Sequence, residues 1–461
     1  MQINNSSIQK QLKSGIRKNP RLLALYILNE FHLDDILLDL LMMDVFDHIS
    51  SFEQRDRALI HSLVYGVIRW RSNLDHMISQ LSHFEFSKIS IPILNTMRMG
   101  LFQIIFMDRI PDHAAVNTSV ELAHIFAPQY LTRFVNGILR EAIRSKDIFL
   151  WPDESTQILE FLSVKYAYPK WLVQRWTEYW GARITKCLCR AGNKIPSIIL
   201  RTNTLKTTQS DLIENLTPNV QEIEKTCHAP DGICISNLKL AIGDSEAFKK
   251  GWFQVQDEAA QLIGLIVSPK PGETILDACA GRGGKSGLLA QYMNNQGTIL
   301  AVDRSKEKLH TLSNEMKRLG IAIVETYQYR WKKTLKERMF ERVLVDAPCS
   351  GFGVIRRHPD IKWKKTKTHI LQNANTQKNL LQIISKHVKL GGKLIYSVCT
   401  LEPEETLHVV ENFLSKHKNF IIEKQCNSIL EPFIDKNGFY FFRPDIHSMD
   451  GFFAVSLIRS E

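Results

Sequence analysis

From Gly251 onward the chain alternates short apolar runs with helical stretches, and this alternation restricts the fold more than any other feature. TILDACAG, GTILAVD, ERVLVDAP and GKLIYSVCT each end in polar or small residues. Between them lie KSGLLAQYM, KEKLHTLSNEMKRLG and a long helical stretch around Leu371–Val388. Strands alternating with helices predict βαβ units and a parallel, doubly wound sheet. Ligands in such sheets bind outside the carboxyl ends of the strands, so the four polar endings are expected on one rim.

The rest of the chain reads differently. From Pro20 to about Arg144, apolar residues recur at three- and four-residue steps, as in RLLALYILNEF and RALIHSLVYGVIRW. That period predicts an all-α bundle, broken at Pro92, Pro111 and Pro128. Ser145–Gln157 reads as a linker. From about Ile158 to Lys250, an aromatic helix, PKWLVQRWTEYWG, precedes short strand-like runs, and a small α/β segment is expected. The predicted divisions are therefore 1–150, 151–250 and 251–461. With 461 residues, two to four domains are expected.

Composition narrows the function classes. Lys plus Arg number 59 against 48 Asp plus Glu, a formal charge of +11 that favours a polyanionic partner. No run reaches the roughly 18 uncharged apolar residues of a membrane span. The polar start MQINNSSIQKQLKSGIRKNP lacks the apolar core of a secretory signal. Eight cysteines without a C-x-x-C pair make neither a disulfide scaffold nor a zinc site. A reduced, cytoplasmic location, no metal and no membrane partner are expected.

The loop after the first strand of the sheet, Asp277–Lys285, reads DACAGRGGK. Gly281, Gly283 and Gly284 allow a tight turn and close backbone approach to a ligand. Asp303 ends the next strand, where an acid can accept hydrogen bonds from ribose hydroxyls. A P-loop would need Gly where Cys279 stands, and the dinucleotide pattern G-x-G-x-x-G fails at Ser286. An acid, a small-residue loop and a ribose acid without a pyrophosphate seat suit S-adenosylmethionine better than a dinucleotide.

Two cysteines also fall on the rim. Cys349 follows the ERVLV run in DAPCS, and Cys399 follows the GKLIY run in SVCT. A thiol beside a methyl donor fits pyrimidine C5 methylation. C5 of cytosine is a poor nucleophile, and thiolate addition at C6 makes it enamine-like. Asp346 is placed to steady charge near N3. Methyltransferases acting on exocyclic amines carry Asn-Pro-Pro-Tyr or a relative here, and Asp-Ala-Pro-Cys speaks against that class.

These residues carry a family resemblance. DAPCSGFGVIRRHPDIKW, YSVCTLEPEET and the late DGFF resemble the RNA cytosine-C5 methyltransferases of the Sun/Fmu type, which modify small-subunit ribosomal RNA in bacteria. RDRALIHSLVYGVIRW, MRMGLFQIIFMDRIPDHAAVNTSVELA and RFVNGILR are similar to the NusB-like RNA-binding domain of this subgroup. PKWLVQRW, LRTNTLKTT and FQVQDEAAQL resemble its middle segment. The resemblance implies an all-α NusB-like bundle, a small α/β middle segment and a Rossmann-like methyltransferase domain. It implies Cys399 as nucleophile, Cys349 as the residue that assists product release, and Asp346 as base or cofactor contact. Cys279, Ala280, Gly281, Arg282, Gly283, Gly284, Lys285, Asp303, Gln328 and Asp346 are implied to bind S-adenosylmethionine. The implied substrate is 16S ribosomal RNA, free or in a partly assembled subunit, with C967 as target and no obligate protein partner.

The chain departs from the family pattern twice. Gly281-Arg282 replaces Ala-Pro in the loop, and Ser286 replaces Thr. Gln328 stands where the family has an Asp beside the adenine. Weaker donor affinity is one consequence, and a weakened RNA-binding assembly factor is an alternative function; the same chemistry on tRNA is another. Arg356, Arg357, Lys362, Trp363 and Lys364, with Lys365 and Lys367 beyond, form a basic cluster expected to hold RNA phosphates. Arg69, Arg71 and Arg98 are read as further RNA or surface charges, and His113 as a helix start. Cys187, Cys189, Cys227, Cys234 and Cys426 are assigned to packing.

Overall fold

The computed structural model describes residues 19–33, 36–48, 52–126, 128–239, 241–329, 335, 337–424 and 427–460. The polar start and Cys426 lie outside the described residues. The chain forms two compact units, Met1–Lys194 with His358–Lys364, and Ile195–Arg357 with Lys365–Glu461. The division falls inside the expected 151–250 segment. Residues 151–194 pack with the helical unit and 195–250 with the sheet unit.

The first unit is helical. Its elements are α1 (Pro20–Leu33), α2 (Leu38–His48), α3 (Gln54–Arg69), α4 (Arg71–Leu81), α5 (Ile91–Phe106), α6 (Asp112–Phe126), α7 (Gln129–Arg144), α8 (Ile158–Lys165) and α9 (Lys170–Asn193). The prolines mark helix starts, where a missing N–H costs nothing: Pro92 sits in the first turn of α5, Pro111 precedes α6, and Pro128 caps α7. His113 lies in the first turn of α6. Leu22–Leu28 of α1 are buried throughout, so this helix runs through the bundle interior. Gly66 of α3 admits the Phe102 ring, which an added Cβ would meet at 2.0 Å.

Two arginines expected at the surface are interior. Arg98 is 4% exposed, and its fork grips Asp75 at 2.6 and 2.8 Å. Arg69 is 5% exposed.

The second unit holds two sheets. The smaller has the order β2 (Glu222–Lys225), β3 (Gly232–Ser236), β1 (Ile198–Thr202), β4 (Phe253–Val255), all antiparallel. Helix α10 (Gln209–Leu216) packs on it. Its core is Leu200, Leu212, Ile233, Ile235 and Phe253. Next come α11 (Glu258–Val267), β5 (Thr274–Asp277), α12 (Gly284–Tyr292), β6 (Thr298–Asp303), α13 (Lys306–Leu319), β7 (Val324–Gln328) and β8 (Phe340–Asp346). The chain continues with α14 (Lys367–Ile384), β9 (Val388–Val398), α15 (Leu407–Lys416), β10 (Phe420–Ile422), β11 (Tyr440–Phe442) and β12 (Phe452–Arg459).

The larger sheet runs β10-β12-β9-β8-β5-β6-β7, with β11 also paired to β12. From β9 to β7 every pairing is parallel. β12 returns antiparallel to β9, and β10 and β11 are antiparallel to β12. Of these late strands, β10 and β11 have three residues each, too few to carry a periodicity. The interior strands read as near-continuous apolar runs because helices cover both faces. The order reverses between β5 and β8, which opens a crevice at their carboxyl ends.

Candidate functional site

The crevice holds a cavity of about 310 Å³, within the range of small-molecule sites. Its lining joins the ends of β5, β6, β7 and β8 to the inward face of α14. Cys279 and Gly281 contribute from the loop, Asp303 from β6 and Asp346 from β8. Thr376 and Leu380, four residues apart on α14, close the far wall.

The glycine loop follows from local backbone demands. Gly281 has φ +56° and Gly283 φ +87°, both left-handed. A Cβ on Gly283 would also meet Leu312 at 2.7 Å. The Gly281 N–H donates to Asp303 Oδ2 at 3.0 Å, and the Ser305 N–H to Oδ1 at 2.9 Å. The carboxylate thus braces the loop and still faces the cavity. From the smaller sheet, the buried Arg201 donates to the Gly284 carbonyl at 2.8 Å and fixes the start of α12.

The lining sets Asp303 and Asp346 beside Arg304 and Lys308, and a third acid, Asp277, is buried at the end of β5. Asp277 is fully buried, and burial pushes its carboxyl up to about 6 although Ser286 Oγ donates to it at 2.7 Å. Its Oδ1 is buried without a hydrogen-bond partner among the described residues. Lys285 Nζ donates to Asp346 Oδ2 at 2.6 Å, and Ser397 Oγ to Oδ1 at 2.8 Å.

The β8–β9 register pairs Asp346 with Ser397. Cys349 lies three residues beyond the first and Cys399 two beyond the second, so the loops meet. Their sulfurs are 3.1 Å apart. Cys349 is held well above the ordinary thiol range, first by the Cys399 sulfur beside it and then by burial. It therefore carries its proton. A buried carboxyl, Glu405, joins the two loops. Its Oε1 accepts the Ser350 N–H at 2.8 Å, and Oε2 accepts Ser350 Oγ at 2.5 Å. Ser350 Oγ also lies 3.1 Å from Thr400 Oγ1. Below Cys399, the Gly353 N–H donates to the Cys399 carbonyl at 3.0 Å, and the Gly451 N–H to the Gly353 carbonyl at 2.8 Å.

The structure brings Cys279, Gly281, Asp303, Asp346, Cys349 and Cys399 to one rim. Ala280 is 7% exposed and hydrogen-bonds Val302, and Gly283 and Gly284 shape the turn into α12. Lys285 reaches the cavity through Asp346. Arg282 is exposed.

Gln328 departs from its expected place. It is exposed at the end of β7 and donates to the Arg304 carbonyl at 3.1 Å. Tyr329, the next residue, lines the cavity instead. Its N–H donates to the Asp303 carbonyl at 2.8 Å, and the Arg304 guanidinium lies 5.1 Å from its ring centre. Period-two alternation accounts for the exchange, since neighbouring residues at a strand end face opposite ways.

The basic cluster is also corrected. Arg356 and Arg357 form a closed network with Asp257 and Asp450, with all four ion pairs between 2.5 and 2.8 Å. Arg356 is 8% exposed. In the helical unit, Lys362 is fully buried and donates to the carbonyls of Arg69 and Ala167 at 3.2 Å and to Asn193 at 2.5 Å. Trp363 donates to the Ile68 carbonyl and Lys364 to the Phe31 carbonyl. A guanidinium or ammonium engaged by buried acceptors has few donors left for phosphate. Of the cysteines assigned to packing, Cys189 is buried and Cys234 half-buried, whereas Cys187 and Cys227 are exposed.

Among the described residues no His/Cys/Asp/Glu group has metal-binding geometry. No described helix is long and apolar enough to cross a membrane.

Comparison with known proteins agrees with this architecture. Residues 264–458 match the 16S rRNA methyltransferase RsmB/F family, 18–144 the NusB family, and 168–239 the RsmF/B-like ferredoxin-like domain. The chain is 32% identical over 419 residues to the probable ribosomal RNA small subunit methyltransferase B of Bacillus subtilis, covering 88% of this chain and 92% of the relative. It is 33% identical over 424 residues to the protein of the same description in Synechocystis, with the same coverage. The crystal structure of PH0851 superposes with a TM-score of 0.77 at 25% identity, covering 95% of this chain and 98% of that one. The NusB helices, the ferredoxin-like middle segment and the Rossmann-like sheet with paired rim cysteines make this chain a member of the 16S rRNA methyltransferase RsmB/F family.

Proposed function

We propose that this protein uses S-adenosylmethionine to methylate C5 of a cytosine in 16S ribosomal RNA, C967, through a covalent cysteine–C6 adduct. The observation that carries the proposal is the 3.1 Å approach of Cys399 and Cys349, in the loops that follow β8 and β9, next to a cavity lined by Asp346 and Pro348 of the first of these loops.

The cavity fits the donor. Two left-handed glycines leave room for a nucleoside, and Asp303 offers ribose hydroxyls a carboxylate. Of the lining groups, the Asp303 and Asp346 carboxylates complement the cation of a sulfonium. S-Adenosylmethionine, when bound, supplies an electrophilic methyl group.

The chain's own residues do the rest. The Cys399 thiolate adds to C6, and the ring electrons shift towards C5 and N3. Asp346, fixed by Lys285 and Ser397, steadies the ring at N3. Once C5 is methylated its proton is lost to solvent water. The C5–C6 double bond then re-forms and the C6–S bond breaks, returning the electron pair to Cys399. Cys349, a proton-bearing thiol beside that sulfur, promotes this release. The base must leave its stack to reach the rim, so a single-stranded or flipped cytosine is the substrate form.

The test is tritiated methyl transfer to unmodified 16S transcript, with mapping of the labelled nucleotide. Cys399→Ser is expected to abolish transfer. Cys349→Ala is expected to accumulate a protein–RNA adduct that survives denaturant as a shifted band. Sustained turnover by either variant overturns the assigned roles.

A further inference from the structure

A second concavity, of about 450 Å³, lies on the sheet unit between α14 and α15. Helix α14 lines it with Asn375, Lys378, Asn379 and Gln382, the i, i+3, i+4, i+7 set of one face. Helix α15 adds Asn412 and Lys416. Among the described residues, none of these six side-chain heads has a hydrogen-bond or ionic partner. No carboxylate lines the groove. Its apolar element is Phe413, 3% exposed, whose ring stacks on His417 with centroids 4.5 Å apart. His417 is held below the ordinary imidazole range, first by burial and then by Lys386 and Lys416, as expected where positive charge converges.

We infer that this groove binds the sugar–phosphate backbone of single-stranded RNA beside the catalytic rim. Carboxamides both donate and accept, which suits alternating phosphate and 2′-hydroxyl groups; the two ammonium groups supply the charge. An acidic protein segment would use the lysines but leave the four amides without a reason. The groove shares α14 with the donor cavity, which Thr376 and Leu380 of that helix line. A strand seated here lies about one helix diameter, roughly 10 Å, from that cavity. The inference also supplies an RNA contact on a face separate from the buried Arg356 network. It rests on RNA being the substrate, though not on which base is methylated.

The test is the double variant Lys378→Gln/Lys416→Gln, binding a small-subunit ribosomal RNA transcript without methyl donor at 50 and 200 mM salt. Each single-strand phosphate contact contributes about 0.7 to the slope of log K against log salt. Losing two should lower the ratio of Kd values at the two salts by about sevenfold. Methyl transfer at saturating RNA and the melting temperature should be unchanged. An unaltered Kd ratio overturns the groove and leaves the proposed reaction standing. A reduced ratio with no methyl incorporation by wild type supports the groove and overturns the reaction. Failure of the wild-type protein to bind the transcript overturns both.

Discussion

Glu405 gives the sharpest quantitative expectation. Burial raises its carboxyl from 4.5 to about 7, despite the opposing donors of Ser350 and Gln377. An acid raised in the fold holds its proton there while the unfolded chain has released it. Its favourable contribution is therefore complete below about 4.5 and is lost as pH rises through 7. The full rise corresponds to about 3 kcal/mol, at 1.36 kcal/mol per pH unit. Between pH 5 and pH 8, some 2.5 kcal/mol of that is traversed. Glu405→Gln keeps the shape, retains an acceptor for the Ser350 N–H and cannot ionise. Urea unfolding of both proteins at pH 5 and pH 8 should show the variant close to wild type at the lower pH. At the higher pH it should be more stable by about 2–3 kcal/mol. The effects of the other titrating groups cancel in the difference between the two proteins. If wild type and variant lose stability in parallel across this range, the buried-charge reasoning for Glu405 is wrong.

Further expectations concern the seat of the proposed nucleophile and the donor. A Cβ on Gly353 would fall 1.9 Å from the Gly451 carbonyl oxygen and 2.9 Å from that of Cys399. Relieving it moves these backbones apart by more than about 1 Å. Gly353→Ala should lower kcat by about 100-fold, with donor affinity kept, measured by tritium transfer and calorimetry; wild-type kcat would contradict the seating. Asp303→Ala removes the loop brace and the ribose acceptor. S-Adenosylmethionine should bind about 30-fold more weakly, near 2 kcal/mol, by calorimetry; unchanged affinity would remove Asp303 from the donor site.

The sequence was most informative where chemistry and periodicity coincide. Asp277, Asp303, Asp346, Cys349 and Cys399 all lie at strand ends, and a parallel sheet gathers strand ends. The bundle helices were legible because their apolar stripe is local. What escaped depends on distant partners. Nothing near Arg356 and Arg357 announces that Asp257 and Asp450 will enclose them. Lys362 reads as a surface charge until Asn193 and two carbonyls surround it. Gln328 and Tyr329 differ by one residue, the smallest step that changes the face of a strand. Glu405 was visible in EPEET, yet its bond to the loop of Cys349 spans 55 residues.

The crossing of Gly353 and Gly451 beneath Cys399 has a bearing on biosynthesis. The support of the sulfur proposed to attack is contributed by three distant stretches, and the last of the three to be translated is Asp450–Gly451. A nascent chain that already displays the cysteines, the glycine loop and every parallel strand still lacks this keystone. Catalytic competence therefore waits on the synthesis of Asp450–Gly451, and truncation before Asp450 would silence the enzyme even if the remaining sheet held.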